Sequence, residues 1–127
     1  MNEAVVFAGR RDDVGDVLAA SDIFVTASHF EGVSLAVLEA MARGLPVVSY
    51  ACPGNREVLS NGTGSVVPLH DEEAFAQALT TVLVDQCATR RQCELAQSRV
   101  QEHYALSRAI RQIIELYEII LVDKWKK

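Results

Sequence analysis

The stretch "DIFVTASHFEGVSLAVLEAMARGLPVVSYA", residues 22–51, constrains the fold more than any other part of the chain. Its two ends are short runs rich in Val, Ile and Phe, which are residues that strands prefer. Between them, the segment from about Val33 to Arg43 has the apolar spacing of a helix, which Gly44 and Pro46 end. A strand, a helix and a second strand in close succession predict two parallel strands with a helical crossover.

The segments on either side continue this alternation. "AVVFAG" (residues 4–9) and "SVVPL" (residues 65–69) are typical of two further short strands, and Asp12 and Asp13 offer N-caps for another helix. From Asp71 onward three helices are predicted, of which the last has a wide apolar stripe: Leu106, Ile110, Ile113, Ile114, Tyr117 and Leu121.

The length of 127 residues suits a single domain. We assign a β/α core to residues 1–70 and a helical tail to residues 71–127. The alternation of strands and helices predicts the α/β class, with a Rossmann-like parallel sheet and flanking helices.

Composition narrows the function classes. The formal net charge of −5 argues against nucleic-acid binding, which needs clustered Lys and Arg. Cys52, Cys87 and Cys93 form no CxxC pair, which fits reduced thiols in a cytosolic protein. No secretory signal is recognisable, and Glu115 and Glu118 interrupt the last apolar run. We therefore expect a cytoplasmic protein, and peripheral attachment at the inner face of the membrane stays open as an alternative.

Residues 28–35 form a junction between a strand and a helix, which is where parallel sheets gather ligands. The first amides of the helix, near Gly32, Val33, Ser34 and Leu35, have no partner within the helix. They carry partial positive charge and favour a phosphate group. Gly32 has no Cβ, so a ligand can approach the backbone closely. The junction therefore predicts a pocket for an anion.

Two carboxylates flank this pocket. Glu31 lies at its lip, and Glu39 lies about two turns further along, roughly 12 Å away by helical rise. That separation suits a nucleotide-diphosphate sugar, with the hexose at one end and the ribose at the other. A carboxylate accepts hydrogen bonds from two neighbouring hydroxyls. A carboxylate within a mostly apolar helix loses hydration when it is buried. For Glu39, hydrogen bonds to a diol or an ion pair with a buried Arg would compensate for that loss.

Glu31 and Glu39 match the E-x7-E signature of retaining GT-B glycosyltransferases, particularly the large family four. "EGVSLAVLEAMARGLPVV" closely resembles that family's "EGxxLxxLEAMAxGxPVV". The likeness continues through "VVFAG", "LAASDIFVTAS" and "NREVLSNGTGSVVP" over nearly the whole chain. It implies the C-terminal, donor-binding half of a GT-B enzyme that transfers a sugar from a nucleotide sugar to an acceptor with retention. The resemblance implies that neither a metal ion nor a cofactor is needed. It also implies a role in polysaccharide or glycolipid biosynthesis.

The resemblance also implies the roles of individual residues. Glu31 would contact the transferred sugar beside the reacting carbon, which makes it the implied catalytic residue. The implied donor-binding residues lie at the helix start and around it: Gly32, Val33, Ser34, Leu35, Glu39 and Arg10. Among these, the amides would hold the diphosphate and sugar oxygens, Glu39 would take the ribose hydroxyls, and Arg10 would lie near the base.

Part of the family's architecture has no counterpart in this sequence. Family members carry two further βα units, with an Arg and a Lys that clamp the diphosphate, and an acceptor domain before them. "AVVFAG" resembles their third donor-half strand, so we expect it either to move beside "DIFVTAS" or to stay unpaired. We expect the chain alone to bind donor poorly and to be inactive. The implied partners are the missing N-terminal acceptor domain or a partner chain, and a second copy through an exposed sheet edge or the last helix.

Simpler interpretations of these residues stay open. Glu31 can be a surface loop acid, Glu39 a core carboxylate paired with an Arg or backbone donors, and Ser34 only a helix cap. The rival functions are a non-catalytic interaction or regulatory domain of the same ancestry and a nucleotide-sugar epimerase fragment.

Two departures from the family pattern stand out. His29 in "ASHFE" is unusual, and an incidental loop residue is favoured over a general base. Pro53-Gly54 stands where related sequences commonly carry Gly-Gly. Two further histidines, His70 and His103, have no ligand-spaced partner in the sequence, so no metal site is predicted.

Overall fold

The computed structural model describes residues 4–125, and their side chains as far as Val122. The strands in this range are β1 (Phe24–Thr26), β2 (Val47–Tyr50) and β3 (Ser65–Val67). The helices are α1 (Val14–Ala19), α2 (Leu35–Ala42), α3 (Pro53–Val58), α4 (Glu72–Val84), α5 (Gln86–His103) and α6 (Leu106–Trp125). The alternation of strands and helices confirms the predicted α/β class.

The three strands form one parallel sheet in the order β1-β2-β3. Phe24 lies opposite Val47 in the first pair, and Val48 lies opposite Ser65 in the second. Each parallel connection passes through a helix, α2 and then α3, as the sequence predicts. The carboxyl ends of all three strands therefore meet at one edge of the sheet.

The core lies on both faces of β2, because successive side chains of a strand point to opposite faces. Val47 packs with buried residues of α2 and α5, among them Met41 and Ala96. Val48 and Tyr50 pack on the other face with Val67 of β3 and Val82 of α4. Since helices cover both faces, every residue of β2 is buried. The central strand is thereby held in place at the edge where the loops begin.

The prediction of a strand in "AVVFAG" is wrong for residues 4–9. None of them belongs to a strand, and Val6 and Phe7 are 86% and 95% exposed. A strand needs a neighbour to pair its backbone groups, and within residues 4–125 this segment has none. Of the two outcomes expected, the segment stays unpaired, and β1 is left with an open edge.

The helix ends follow the sequence in part. Gly44 ends α2 with a φ of +74°, and its amide donates to the carbonyl of Met41 at 3.0 Å. α3 starts at Pro53, because Pro suits the first position of a helix. Asp13 precedes α1, yet its side chain caps nothing. Its carboxylate accepts from the Arg11 guanidinium, which lowers the pKa of Asp13.

The last helix, α6, exposes the apolar stripe that the sequence predicts as core or interface. Leu106 and Tyr117 are 73% and 62% exposed, and the other apolar side chains described along the helix are about half exposed. The stripe is therefore not part of the core of this chain. Within residues 4–125, the helices are all too short or too polar to cross a bilayer.

Replacing Met41 with Ala tests the assignment of the core. Met41 is fully buried between the sheet and α5, so we expect a loss of about 2–5 kcal/mol in the free energy of unfolding. Leu116→Ala, on the exposed surface of α6, is the control, with an expected change within about 0.5 kcal/mol. Urea denaturation followed by circular dichroism measures both, and equal losses would contradict the assignment.

Candidate functional site

The candidate site lies at the carboxyl edge of the sheet, where β1 ends and the loop of residues 27–34 leads into α2. In open parallel sheets, ligands bind outside this edge. Glu31 is half-buried in the loop, whereas Gly32 and Val33 are exposed. The loop thus presents backbone groups to solvent next to a carboxylate.

Within residues 4–125 the amides that lead into α2 are unpaired, and those of exposed residues such as Val33 and Leu35 are open to a ligand. The first helical hydrogen bond runs from the Leu38 amide to the Ser34 carbonyl at 3.1 Å. The amides of residues 32–37 donate to no acceptor within residues 4–125. Ser34 precedes the helix and is buried, but its side chain makes no capping bond, so capping does not account for it. This run of free donors at a helix start attracts an anion.

A close contact with α3 fixes the position of this loop. The Gly54 amide donates to the Glu31 carbonyl at 3.1 Å. A Cβ built on Gly54 would lie 1.4 Å from the Gly32 carbonyl oxygen, so no residue other than glycine fits there. Where related sequences commonly carry Gly-Gly, this chain has Pro53-Gly54, and the glycine that the contact needs is retained at position 54.

Buried polar residues tie α3 to the end of β2. Asn55 Nδ2 donates to Ser49 Oγ at 2.7 Å, and Ser49 Oγ donates to the Tyr50 carbonyl at 2.8 Å. Asn55 and Ser49 are fully buried. Sequence reasoning missed both residues, although a Ser inside the apolar run "PVVSYA" was a visible signal. The network holds the first turn of α3, and with it the Glu31 loop, in place.

Glu39 lies on the exposed face of α2. The interpretation of Glu39 as a core carboxylate is therefore wrong, because Val37, Ala40 and Met41 occupy the inner face on either side of it. Within residues 4–125, neither Glu31 nor Glu39 forms an ion pair. Both carboxylates are thus available to a ligand.

Arg10 lies in the exposed segment before α1, and its side chain is 94% exposed. Its guanidinium is 3.8 Å from the carboxylate of Asp12. The described contacts do not bring Arg10 to the Glu31 loop, and its proposed place near the base stays a prediction.

His29 and His70 lie together, although His70 appears isolated in the sequence. Their ring centroids are 4.4 Å apart with an interplanar angle of 71°. The His29 ring also lies 6.0 Å from that of Tyr50. Within residues 4–125, no group of three or more His, Cys, Asp or Glu side chains could hold a metal ion. Sequence reasoning missed this pair because 41 positions separate its members.

Gly54→Ala tests the contact that holds the loop. The added Cβ collides with the Gly32 backbone, so we expect a loss of about 1–3 kcal/mol in stability and displaced amide resonances for residues 31–34. Gly32→Ala is the matched control, because a Cβ there meets no atom within 4 Å. Denaturation curves and heteronuclear NMR spectra measure both effects. Equal stability of the two variants would refute the proposed packing.

The chain was compared with known protein families, sequences and solved structures. The sequence model of the family described as "Glycosyl transferases group 1" matches residues 1–85. The chain is 31% identical over 124 residues to N-acetyl-alpha-D-glucosaminyl L-malate synthase of Bacillus anthracis, covering 97% of this chain and 32% of the relative. It is 29% identical over 127 residues to UDP-Gal:alpha-D-GlcNAc-diphosphoundecaprenol alpha-1,3-galactosyltransferase of Escherichia coli, covering 98% and 32% respectively.

Solved structures agree with the sequence relatives. Sucrose-phosphate synthase from Thermosynechococcus elongatus superposes with a TM-score of 0.86 at 28% identity, covering 95% of this chain and 31% of that one. HepE of Anabaena, solved in complex with UDP, gives a TM-score of 0.86 at 25% identity, with 92% and 33% covered. The chain thus spans about a third of the length of the proteins it matches.

Proposed function

Because the chain belongs to the group 1 glycosyltransferase family, with a GT-B fold, we propose that it forms the donor-binding part of an enzyme that transfers a sugar from a nucleotide-diphosphate sugar to an acceptor with retention. One observation carries the proposal. Within residues 4–125, the amides of residues 32–35 are unpaired where the loop enters α2, and Glu31 and Glu39, which form no ion pair, come before and after them in the chain. Donors for a diphosphate and acceptors for sugar hydroxyls thus occur in one short segment.

The amides of Val33, Ser34 and Leu35 bind the diphosphate in this proposal. The Leu35 amide opens α2 and the loop before it is anchored on α3, so the amides need little reorganisation when negative charge develops on the departing diphosphate. Gly32 leaves room because it has no side chain, and a Cβ there would occupy space that is open in this structure. The amides thereby supply the positive potential that a metal ion supplies in other transferases.

The two carboxylates bind the ends of the donor. Glu39 accepts from the ribose hydroxyls, and Glu31 contacts the transferred sugar beside the reacting carbon. The relatives support this choice of donor: the Escherichia coli enzyme is named for UDP-Gal, and HepE of Anabaena was solved with UDP. Uridine diphosphate is therefore the first probe, and Arg10 is the residue of this chain proposed to lie near the base.

Binding of the acceptor by the proposed enzyme requires an additional domain or a partner chain. The open edge of β1, the exposed segment of residues 4–9 and the stripe of α6 are the surfaces that an N-terminal acceptor domain or a partner chain would cover. Alternatively, a second copy of this chain would cover the same surfaces. We propose a cytoplasmic enzyme of polysaccharide or glycolipid assembly that works at the inner face of the membrane.

Glu39→Gln tests the donor site through nucleotide binding. In NMR titrations with UDP, GDP and ADP, we expect weak binding of one of them, on the order of millimolar, with the largest shifts at the amides of residues 33–35. Removing a charged acceptor of two hydroxyls costs about 1.5–3 kcal/mol, so Glu39→Gln is expected to weaken binding about tenfold or more. Glu118→Gln, on α6, is the matched control.

Two results decide this test. If Glu39→Gln binds the nucleotide as tightly as the unmodified chain, Glu39 does not contact the nucleotide. Failure of all three nucleotides to shift any amide of the α2 start would overturn the donor site and favour a non-catalytic interaction domain.

Sugar transfer by the chain alone is expected to be unmeasurable. The resemblance implies a diphosphate clamp of Arg and Lys and an acceptor domain, and within residues 4–125 no Lys or Arg pairs with Glu31. Incubation with UDP-glucose or GDP-mannose and detection of free UDP or GDP measures transfer of the sugar to water, the one acceptor present. Substantial turnover would show that one-third of a GT-B enzyme suffices, against this expectation.

A further inference from the structure

The two imidazoles of His29 and His70 meet edge to face at the carboxyl edge of the sheet. His29 lies in the loop after β1, and His70 lies in the loop after β3, so the contact spans the end of β2. The ring centroids are 4.4 Å apart, within the range of a direct contact. Two loops far apart in the sequence are thereby joined beside the candidate donor site.

Packed aromatic rings support this pair from below. Tyr50, at the end of β2, is 8% exposed and lies 6.0 Å from the His29 ring. Phe75 of α4 lies 4.7 Å from the Tyr50 ring. The His29 ring therefore lies beside side chains that belong to the core.

The backbone of His70 is in the left-handed region, with a φ of +64°. Residues with a Cβ are uncommon there, although Asn, Asp and His are enriched among those that occur. Such a conformation costs on the order of 1 kcal/mol and is often kept at ligand sites. A glycine would relax it, but only a side chain reaches His29.

Both imidazoles are exposed, and within residues 4–125 neither takes part in a hydrogen bond or an ion pair. A neutral imidazole offers one N–H donor and one acceptor nitrogen. The pair therefore presents donors and acceptors to solvent, which is what recognition of hydroxyl groups requires. Two imidazoles without a third ligand make a poor metal site.

The position of the pair relative to the two acids suggests what it binds. Along the proposed donor, Glu39 takes the ribose, the start of α2 takes the diphosphate and Glu31 takes the sugar. His29 precedes Glu31 by two residues in the same loop, whereas Glu39 follows that loop on α2. We infer that His29 and His70 contact hydroxyl groups of the transferred sugar and help to select which sugar is accepted, an inference that rests on the proposed donor site.

The test compares each nucleotide sugar with its own nucleoside diphosphate, so that only the contribution of the sugar is measured. NMR titrations of the full chain give the affinities for UDP, UDP-glucose and UDP-N-acetylglucosamine, and for GDP and GDP-mannose. The variants are His29→Ala and His70→Asn, which removes the ring but tolerates the positive φ. His103→Ala, an exposed histidine at the end of α5, is the control.

For the sugar that binds best, we expect His29→Ala and His70→Asn to lower the ratio of sugar-nucleotide affinity to diphosphate affinity by about 2–12-fold, the value of a single neutral hydrogen bond. Affinity for the diphosphate alone and the behaviour of His103→Ala should stay within twofold, as a rough limit. A merely structural role would weaken both ligands together.

The remaining outcomes separate the two proposals. If the unmodified chain binds UDP or GDP but neither variant changes the ratio for any sugar, the inference about the histidines is overturned and the donor site stands. The same holds if no nucleotide sugar binds more tightly than its own diphosphate. If UDP, GDP and ADP all fail to bind, the donor site itself is refuted, and the inference with it.

Discussion

The contact between Gly54 and the Glu31–Gly32 peptide is the constraint on which the site depends. A loop that presents free amides to solvent has little to hold it, because its own hydrogen bonds are unmade. Here the loop is anchored from behind, by the Gly54 amide and by backbone packing too close for any Cβ. Asn55 and Ser49 then attach α3 to β2 inside the core. The rigidity of the central strand is thereby passed to the amides proposed to bind the diphosphate.

The electrostatics of the site follow from this arrangement. Two carboxylates beside a diphosphate would repel it if all three competed for one place. In the proposed complex they do not, because along the chain Glu31 precedes the amides and Glu39 follows them on the exposed face of α2. Each acid can therefore engage neutral hydroxyls while the helix start takes the charge. The order of groups along the chain matches the order sugar, diphosphate, ribose in a nucleotide sugar.

The features that the sequence predicted correctly are those that depend on residues near each other in the chain. The βαβ unit, the end of α2 at Gly44 and the junction at Gly32 follow from nearby residues and are found in the structure. The strand in "AVVFAG" failed because a strand exists only beside a neighbour, which residue composition does not supply. The pairing of His29 with His70 depends on the sheet order, since it crosses the end of β2. The contact at Gly54 likewise depends on two loops that tertiary structure brings together.

The uncovered surfaces bear on the site as well as on stability. Among residues 4–125, β1 pairs on one side only, and the loop that carries Glu31 begins where β1 ends. A neighbour on the open edge would fix β1 along its whole length, and so restrict the loop from its other end. Covering the apolar side chains of α6 would release about 25 cal/mol for each Å² removed from water, which can offset the ordering of such an assembly. Assembly and donor binding should therefore stabilise each other, because both restrain the same loop.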